Sequence, residues 1–164
     1  MNQSPFRQTD EKARQIAREL IGKMTHAVLS AVDQTSAYPF ISRISAQCDA
    51  DGSPLAFLRQ IAPTTRLLEN NPRGAMLIEG SGSKDGAMGN ARLQLQFVGR
   101  RMPNSDSNHM IRAQKWMQRD QKARAFIHLP DFNFWRLEPQ AAVLIVNYGQ
   151  IYNLRPADMK TTPG

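Results

Sequence analysis

The segment between residues 41 and 78 constrains the fold more than any other part of the chain. It contains two alternating stretches, a short helical pattern and a third apolar stretch. Asp51-Gly52 lies between the first two stretches, and Asp-Gly is a strong hairpin signal because glycine adopts a positive φ at little steric cost. Asn71-Pro72 ends the helical pattern. The segment therefore predicts hairpin-connected antiparallel strands with one short helix inserted.

Hydrophobic periodicity supplies the remaining predicted elements. Asp10 is the expected N-cap of a helix of about fourteen residues, and a second long helix is expected from about Ser105. The second helix has an apolar stripe that includes Met110 and Trp116, and a basic opposite face that includes Arg112. Further strands are predicted at 25–32, 38–47, 91–100, 133–139 and 141–146, and residues 148–152 continue past the last of them. Few helices among many strands favour a mainly β fold, a closed or split antiparallel barrel with flanking helices.

Length and composition place these elements in a single domain. The chain has 164 residues, enough to bury about 70% of its unfolded surface. We expect a flexible N-terminus at 1–9, the barrel domain at 10–154 and a flexible tail at 155–164. Cys48 is the only cysteine, so a disulfide framework and a cysteine-based metal site are not expected. No apolar run approaches the roughly 18 residues of a membrane span, and we expect a cytoplasmic protein.

The start of the short helix is a candidate anion site. Thr64, Thr65 and Arg66 stand where a hydroxyl residue is expected to cap the helix. Free N–H groups and a partial positive charge at a helix N-terminus favour a phosphate. Plain N-capping by a threonine, or pairing of Arg66 with Glu69, would explain the same residues without a ligand.

Charge and catalytic motifs narrow the classes of function. The formal net charge of +7 suits an anionic partner, but the cations are spread along the chain, so nucleic-acid binding is not expected. His26, His109 and His128 lack metal-ligand spacing, and no serine lies in a Gly-x-Ser-x-Gly motif. The residues therefore predict no metal site, and they identify no catalytic residue.

The chain resembles the flavin-binding split barrels of the pyridoxamine 5'-phosphate oxidase superfamily, most closely their haem-utilisation and stress-related branch. The resemblance covers about residues 12 to 154 and depends on the order and spacing of short motifs. These motifs are Pro39 to Ser45, Asp51-Gly52-Ser53-Pro54, Ile61 to Leu68, Asn71-Pro72-Arg73, Arg92 to Gly99, Asp131-Phe132, Trp135 to Pro139 and Asn147 to Gln150.

The resemblance implies a homodimer with flavin mononucleotide (FMN) at the subunit interface. Residues expected to line the ribityl chain and phosphate are Arg43, Ile44 and Ser45. Leu58, Arg59 and Gln60 are expected beside the edge of the isoalloxazine ring. Thr64, Thr65 and Arg66 are expected around the phosphate. Gln94 is expected to hydrogen-bond the flavin, and Trp135 or its neighbours to come from the partner subunit.

Two departures from the family pattern refine the expected function. Thr64 stands where many relatives have a lysine, so the phosphate would depend on Arg43, Arg66 and backbone N–H groups. The chain also ends soon after the barrel, so haem degradation is not expected. The resemblance implies an FMN-dependent oxidoreductase of unknown substrate, other than pyridoxamine phosphate. The alternatives are a non-catalytic flavin or haem binder in haem utilisation or stress response, and an anion- or nucleic-acid-binding module.

Overall fold

A computed structural model describes residues 4–160 of the chain as eight strands and four α-helices. The strands are β1 (Phe6–Arg7), β2 (His26–Val32), β3 (Pro39–Cys48), β4 (Pro54–Arg59), β5 (Arg73–Glu79), β6 (Arg92–Met102), β7 (Phe132–Val146) and β8 (Gln150–Leu154). The helices are α1 (Glu11–Lys23), α2 (Pro63–Asn70), α3 (His109–Arg119) and α4 (Pro156–Met159). Short 3-10 segments cover Ala87–Gly89 and Gln121–Ala125.

Six of the strands close into an antiparallel barrel. Their order is β7-β4-β3-β2-β5-β6, and β6 pairs back with β7. β8 extends the sheet along the second half of β7, and β1 pairs with β8 in parallel. The closed arrangement leaves none of the six strands with a free edge over its whole length, which removes most of the unpaired backbone of an open sheet. The mainly β split-barrel prediction is confirmed.

The barrel interior holds the larger of two hydrophobic clusters. Alternate residues of each strand point inward, as a period of two requires; on β6 they are Leu93, Leu95 and Phe97, each at most 1% exposed. α1 closes one side of this core with Ala13, Ala17 and Ile21. Asp10 caps α1 by accepting a 2.8 Å hydrogen bond from the Ala13 N–H, as predicted.

A second cluster lies outside the barrel, and we call the wall that it covers the covered face. The covered face consists of the outward side chains of β4 and of the first half of β7, and it lies beneath α3 and the 3-10 segment that follows. Phe57 and Phe134 lie there with ring centroids 4.7 Å apart, and Trp116 of α3 lies 5.5 Å from Phe134. These three rings are buried. Aromatic packing of this kind fastens α3 to the barrel.

On the opposite wall no helix within residues 4–160 covers the outward side chains, and we call this wall the open face. Its register is given by the strand pairs Val28↔Arg43, Val28↔Leu77, Leu77↔Gln94 and Gln94↔Val143. The next row consists of Ile41, Ser30, Ala75, Gln96 and Ala141. Apart from Arg43, these two rows of the open face present apolar and neutral polar groups.

Three sequence predictions differ from the structure. β7 is one strand of 15 residues, since a bulge opposite Gln96/Phe97 lets pairing continue through the predicted break. Met110 is exposed, because α3 packs through Ala113 and Trp116. Arg112 is largely buried and pairs with Asp49 and Asp106, so it does not lie on a solvated basic face.

The segments expected to flank the domain carry ordered elements. Within 4–9, β1 pairs with β8, and the Thr9 hydroxyl donates to the Asn153 carbonyl at 2.7 Å. Within 155–160, α4 buries Met159, and Asp158 accepts a 2.8 Å hydrogen bond from Arg14 of α1. Residues 1–3 and 161–164 lie outside the described part, and flexibility of either end stays a prediction. No helix in the described part is long and apolar enough to cross a bilayer.

Candidate functional site

The open face carries a concave groove of about 680 Å³. Its floor is formed by outward side chains of β2, β5, β6 and β7, with Ile41 of β3 and residues of β8 at its ends. The lining contains neither a carboxylate nor a cation, and its polar groups are the side chains of Ser30, Gln94, Gln96 and Asn153. A neutral, mostly apolar groove with a few hydrogen-bonding groups is typical of a site for a flat organic ligand.

Arg43 lies beside this groove and marks its cationic corner. Arg43 is exposed and points to the same side of β3 as the groove residue Ile41. The Thr64 hydroxyl donates a 2.7 Å hydrogen bond to the Ser42 hydroxyl, which holds the start of α2 against β3. Neither Arg43 nor the exposed Arg66 of α2 has an ion-pair partner within residues 4–160. The fold thus places two uncompensated arginines on two adjoining elements.

The side chains of the two threonines of α2 are buried and do not face solvent. Thr64 and Thr65 are 3% and 2% exposed, and the Thr65 hydroxyl donates to the Arg59 carbonyl at 2.7 Å. The predicted threonine cap is wrong: the N-cap is Ala62, without a side-chain hydrogen bond, and Pro63 occupies the first turn. The threonine side chains therefore fix the corner, while any anion there would depend on Arg43, Arg66 and backbone N–H groups.

Arg59 and Gln60 lie at the end of β4, on the side of the covered face. The Arg59 side chain donates to Asp131 at 2.6 Å and lies over the Phe132 ring at 5.8 Å. The Gln60 N–H donates to the Asp131 carbonyl at 2.6 Å. The Arg59 guanidinium is thus already paired, which leaves less of its charge for a ligand.

Three predicted site residues lie inside the barrel. Ile44, Leu58 and Trp135 belong to the interior cluster and are 7%, 6% and 3% exposed. Ile44 and Leu58 can offer only backbone groups to a ligand. Trp135 is thus not on the surface of its own barrel, and a contact of Trp135 or its neighbours with a flavin of the partner subunit stays a prediction.

Ser45 and Gln94 complete the predicted set. Ser45 is half-buried on the outward side of β3, two residues from Arg43. Gln94 is exposed in the groove and is separated from Arg43 by β2 and β5, about 14 Å at the usual strand spacing. A ligand that contacts both residues must therefore lie across the strands.

The structure also shows groove residues that the sequence reasoning missed. Beside the groove lies a second cavity of about 520 Å³, whose lining shares Ser30, Ala75 and Gln96 with the groove and includes Arg73 and Gln140. The alternation within 73–79 gave a usable signal, since it puts Arg73 on the same face as Ala75 and Leu77. The bulge that brings Gln140 to this position has no comparable signal.

The remaining chemically reactive side chains form no metal site. Across the described residues, no group of three His, Cys, Asp or Glu side chains could hold a metal ion. Burial lowers the pKa of His109, which packs against Phe134. Burial also raises the pKa of the half-buried Cys48 thiol. His26 is exposed at the start of β2, on the same side as the groove residue Val28.

Comparison with solved structures identifies the same architecture elsewhere. One solved chain is 38% identical and covers 95% of this chain and all of its own length, with a TM-score of 0.87. A haem-binding protein from Mycobacterium smegmatis is 22% identical over 90% of this chain, with a TM-score of 0.78; this chain spans 59% of its length. A protein from Clostridium acetobutylicum related to general stress protein 26, of the pyridoxinephosphate oxidase family, is 12% identical, covers 92% of this chain and 99% of its own length, and has a TM-score of 0.68.

Family membership follows from the sequence as well as from the fold. A comparison with curated proteins gave no match. The family model described as "CREG, beta-barrel" matches residues 8–159. That range contains the whole barrel, α1, and the open face with its groove. The chain belongs to the CREG β-barrel family.

Proposed function

We propose that the protein binds FMN across its open face and acts as a flavin-dependent oxidoreductase on a small molecule that is not yet identified. The observation that carries the proposal is the position of Arg43, an exposed arginine with no ion-pair partner in the described chain, beside a groove without carboxylates. Arg43 and Arg66 would bind the phosphate, and the groove would take the flat ring.

Electrostatics favour an anion at this corner. Charge-assisted hydrogen bonds from arginine to phosphate are short and can be bidentate, so one arginine in part replaces the lysine that relatives have at the Thr64 position. The Ser42–Thr64 hydrogen bond keeps α2 beside β3. Arg43 and Arg66 are both exposed, and either side chain can turn toward a bound phosphate without breaking an ion pair to another residue of 4–160.

The exposed apolar surface of the open face supports a homodimer. Ile41 is 66% exposed beside the groove, and Tyr38 near the start of β3 is 75% exposed. Apolar patches rimmed by polar groups mark interaction surfaces, and a two-fold dimer would place the same patch of each copy against the other. A second copy would cover the groove and exclude water from a bound ring.

The chemistry would come from the cofactor, since FMN exchanges a hydride at its N5 atom. This chain would hold the phosphate with Arg43 and Arg66, orient the ring through the Gln94 amide and shield it with the apolar floor of the groove. These tasks fit side chains that are neutral or cationic.

A haem binder is the second candidate function, and His26 is the observation that favours it. His26 is exposed on the side of β2 that bears Val28 and Ser30, and histidine is a common axial ligand of haem iron. The same arginine corner suits the propionates of haem. A haem-binding protein is among the proteins of similar fold.

Titration of the purified chain with FMN and with haem separates the two candidates. Quenching of flavin fluorescence is expected for the wild type, and Arg43→Ala and Arg66→Ala should each weaken FMN binding about tenfold, the loss of one charged contact. Arg100→Ala, an exposed arginine of β6 outside the lining of both cavities, is the matched control and should bind as the wild type does.

The outcomes are distinct. Flavin fluorescence that stays unchanged, together with a Soret band that is lost in His26→Ala, would replace the flavin proposal by the haem one. A sample that binds FMN but is not bleached by NADH or NADPH without oxygen would count against reductase activity and leave a flavin carrier.

A further inference from the structure

The second cavity, next to the groove, differs from the groove in the charge of its lining. It lies toward the start of β5 and the bulge of β7, and its two end residues on β5 and β7 are Arg73 and Gln140. Arg73 is the only charged residue of its lining, and the lining contains no carboxylate. The cavity therefore adds one positive charge to a groove that is otherwise neutral.

Arg73 is placed by the pleat of β5. It is paired with Val98 and has the same outward direction as Ala75 and Leu77, two strand residues that line the groove. The Arg73 backbone N–H donates to the Asn71 side chain at 3.2 Å, which fixes the start of the strand. The guanidinium remains exposed, so its position above the open face is set by the backbone and not by a side-chain partner.

Two carboxylates on elements next to Arg73 are paired with other arginines. Across β6 from Arg73, Val98 is paired with Glu138, and Glu138 accepts from the Arg136 Nε at 2.8 Å. Glu69 of α2 pairs with Arg101 at 3.6 Å. Within residues 4–160, Arg73 has no ion-pair partner. A lone cation beside a neutral groove is a natural place for an anion to bind.

Neutral hydrogen-bonding groups surround this cation on the groove side. Ser30 and Gln96 line both cavities, and their side chains make no hydrogen bond to other described residues. The Gln140 side-chain amide donates to the Glu138 carbonyl at 3.2 Å. Ser30 and Gln96 can therefore donate to an anionic oxygen that Arg73 attracts.

We propose that Arg73, with Ser30 and Gln96, forms a subsite for the carboxylate, sulfonate or phosphate of a ligand whose apolar body lies in the groove. The ligand class is an amphipathic organic anion. Its apolar part would contact Ala75 and Leu77, and its charged end would point toward the start of β5.

This subsite is separate from the corner formed by Arg43. Arg43 is aligned with Leu77 through Val28, and Arg73 comes four residues before Leu77 on β5. At usual strand dimensions the two arginines are about 10 Å apart across the sheet and about 13 Å apart along it. The assignment of the ligand as the substrate beside a flavin rests on the proposed function, whereas the subsite itself does not.

Fluorescence titration with 1-anilinonaphthalene-8-sulfonate tests the subsite, because this probe joins an apolar ring system to one anion. We expect the full chain to bind it, Arg73→Ala to bind it about tenfold more weakly, and Arg73→Lys to retain most of the affinity. Arg100→Ala is the control and should match the wild type. The neutral probe N-phenyl-1-naphthylamine should bind wild type and Arg73→Ala equally.

Several outcomes would overturn the inference. They are absence of sulfonate-probe binding by the wild type, equal affinity in wild type and Arg73→Ala, and equal loss of both probes in Arg73→Ala. A loss shared by Arg73→Lys would show that the charge is not what matters and would also overturn it.

The same variants separate this inference from the proposed function. Arg73→Ala should leave FMN binding unchanged, whereas Arg43→Ala should weaken it. Charge-dependent probe binding at Arg73 in a chain that does not bind FMN would keep the subsite and remove the flavin proposal. A chain that binds FMN, but whose affinity for the sulfonate probe is the same in wild type and Arg73→Ala, would do the reverse.

Discussion

The covered face and the open face are two walls of one barrel, and they differ in the size and chemistry of their outward side chains. The covered face presents large rings, such as Phe57 and Phe134, which α3 buries. The open face presents Ser30, Ala75 and Gln96 at corresponding outward positions. The first set stabilises a helix on the barrel, and the second leaves a groove.

The difference shows that the open face can carry a ligand site without loss of the fold. Buried aromatic contacts contribute free energy to the folded chain itself, whereas neutral polar side chains on an uncovered wall contribute little. Residues of the open face such as Gln94, which we propose to bind the ligand, can therefore change without a large effect on unfolding. We expect mutations on the two faces to separate stability from binding.

The largest effect is expected on the covered face. Phe134→Ala removes a ring that is fully buried between Phe57, Trp116 and His109, and it should lower the free energy of unfolding by about 3–5 kcal/mol. Gln96→Ala, on the open face, should change it by less than about 0.5 kcal/mol. Urea denaturation followed by circular dichroism measures both, and similar losses in the two variants would contradict the comparison.

An intermediate effect is expected where ion pairs join α3 to the covered face. Asp49 accepts from Arg112 at 3.3 Å and from Arg136 at 3.4 Å, and all three side chains are largely buried. Asp49→Asn leaves two close arginines with less compensation and should cost about 2 kcal/mol of unfolding free energy. The exposed pair of Glu19 and Lys23 is the control, and Glu19→Gln should give an unchanged denaturation midpoint. An unchanged midpoint in Asp49→Asn would show that the network is dispensable.

The smallest effect is a pH dependence that originates on the covered face. Burial, the neighbouring His128 and Arg112 lower the pKa of His109 in that order, and Asp106 opposes them weakly. The folded state therefore binds the His109 proton less tightly than the unfolded state does. The stabilisation is complete above the unfolded pKa, about 6.5, and is lost as the pH falls through the lowered folded pKa.

The measurement is the unfolding free energy of wild type and His109→Gln from pH 8 to pH 5, the range around the ordinary histidine pKa of about 6.5. The wild type should lose stability on the acid side, and His109→Gln should show a flatter profile. His26→Gln, on the open face, should keep the wild-type slope. The same slope in wild type and His109→Gln would assign the pH dependence to other groups.

Most of the fold could be predicted because it follows from the preferences of single residues and of short segments. Asp10 caps α1 and Gly52 takes a φ of 84° in the β3–β4 turn, both as residue preferences require. The bulge in β7 could not be predicted, since its cause is the pairing with β6. The burial of Arg112 was equally hidden, because it depends on Asp49, which is 63 residues away in sequence.

The candidate site was predictable only where a strand pattern fixed the direction of a side chain. Arg43 and Gln94 are outward on β3 and β6, as alternation indicates. Trp135 belongs to the interior instead, because its neighbours on β7 gave no clear alternation across Pro139. Arg59 reads as a free cation in the sequence, but the fold brings Asp131 to it.

The bulge in β7 has a consequence for the two faces themselves. Before it, Phe134 and Arg136 point outward and Leu137 points inward; after it, Val143 points outward and Leu144 inward. The extra residue, Gln140, reverses which residues of β7 point outward, from the even-numbered ones before the bulge to the odd-numbered ones after it. One continuous strand therefore contributes outward side chains to both walls. Deleting that one residue would force the second half of the strand to turn its leucine to solvent and its groove residues into the core.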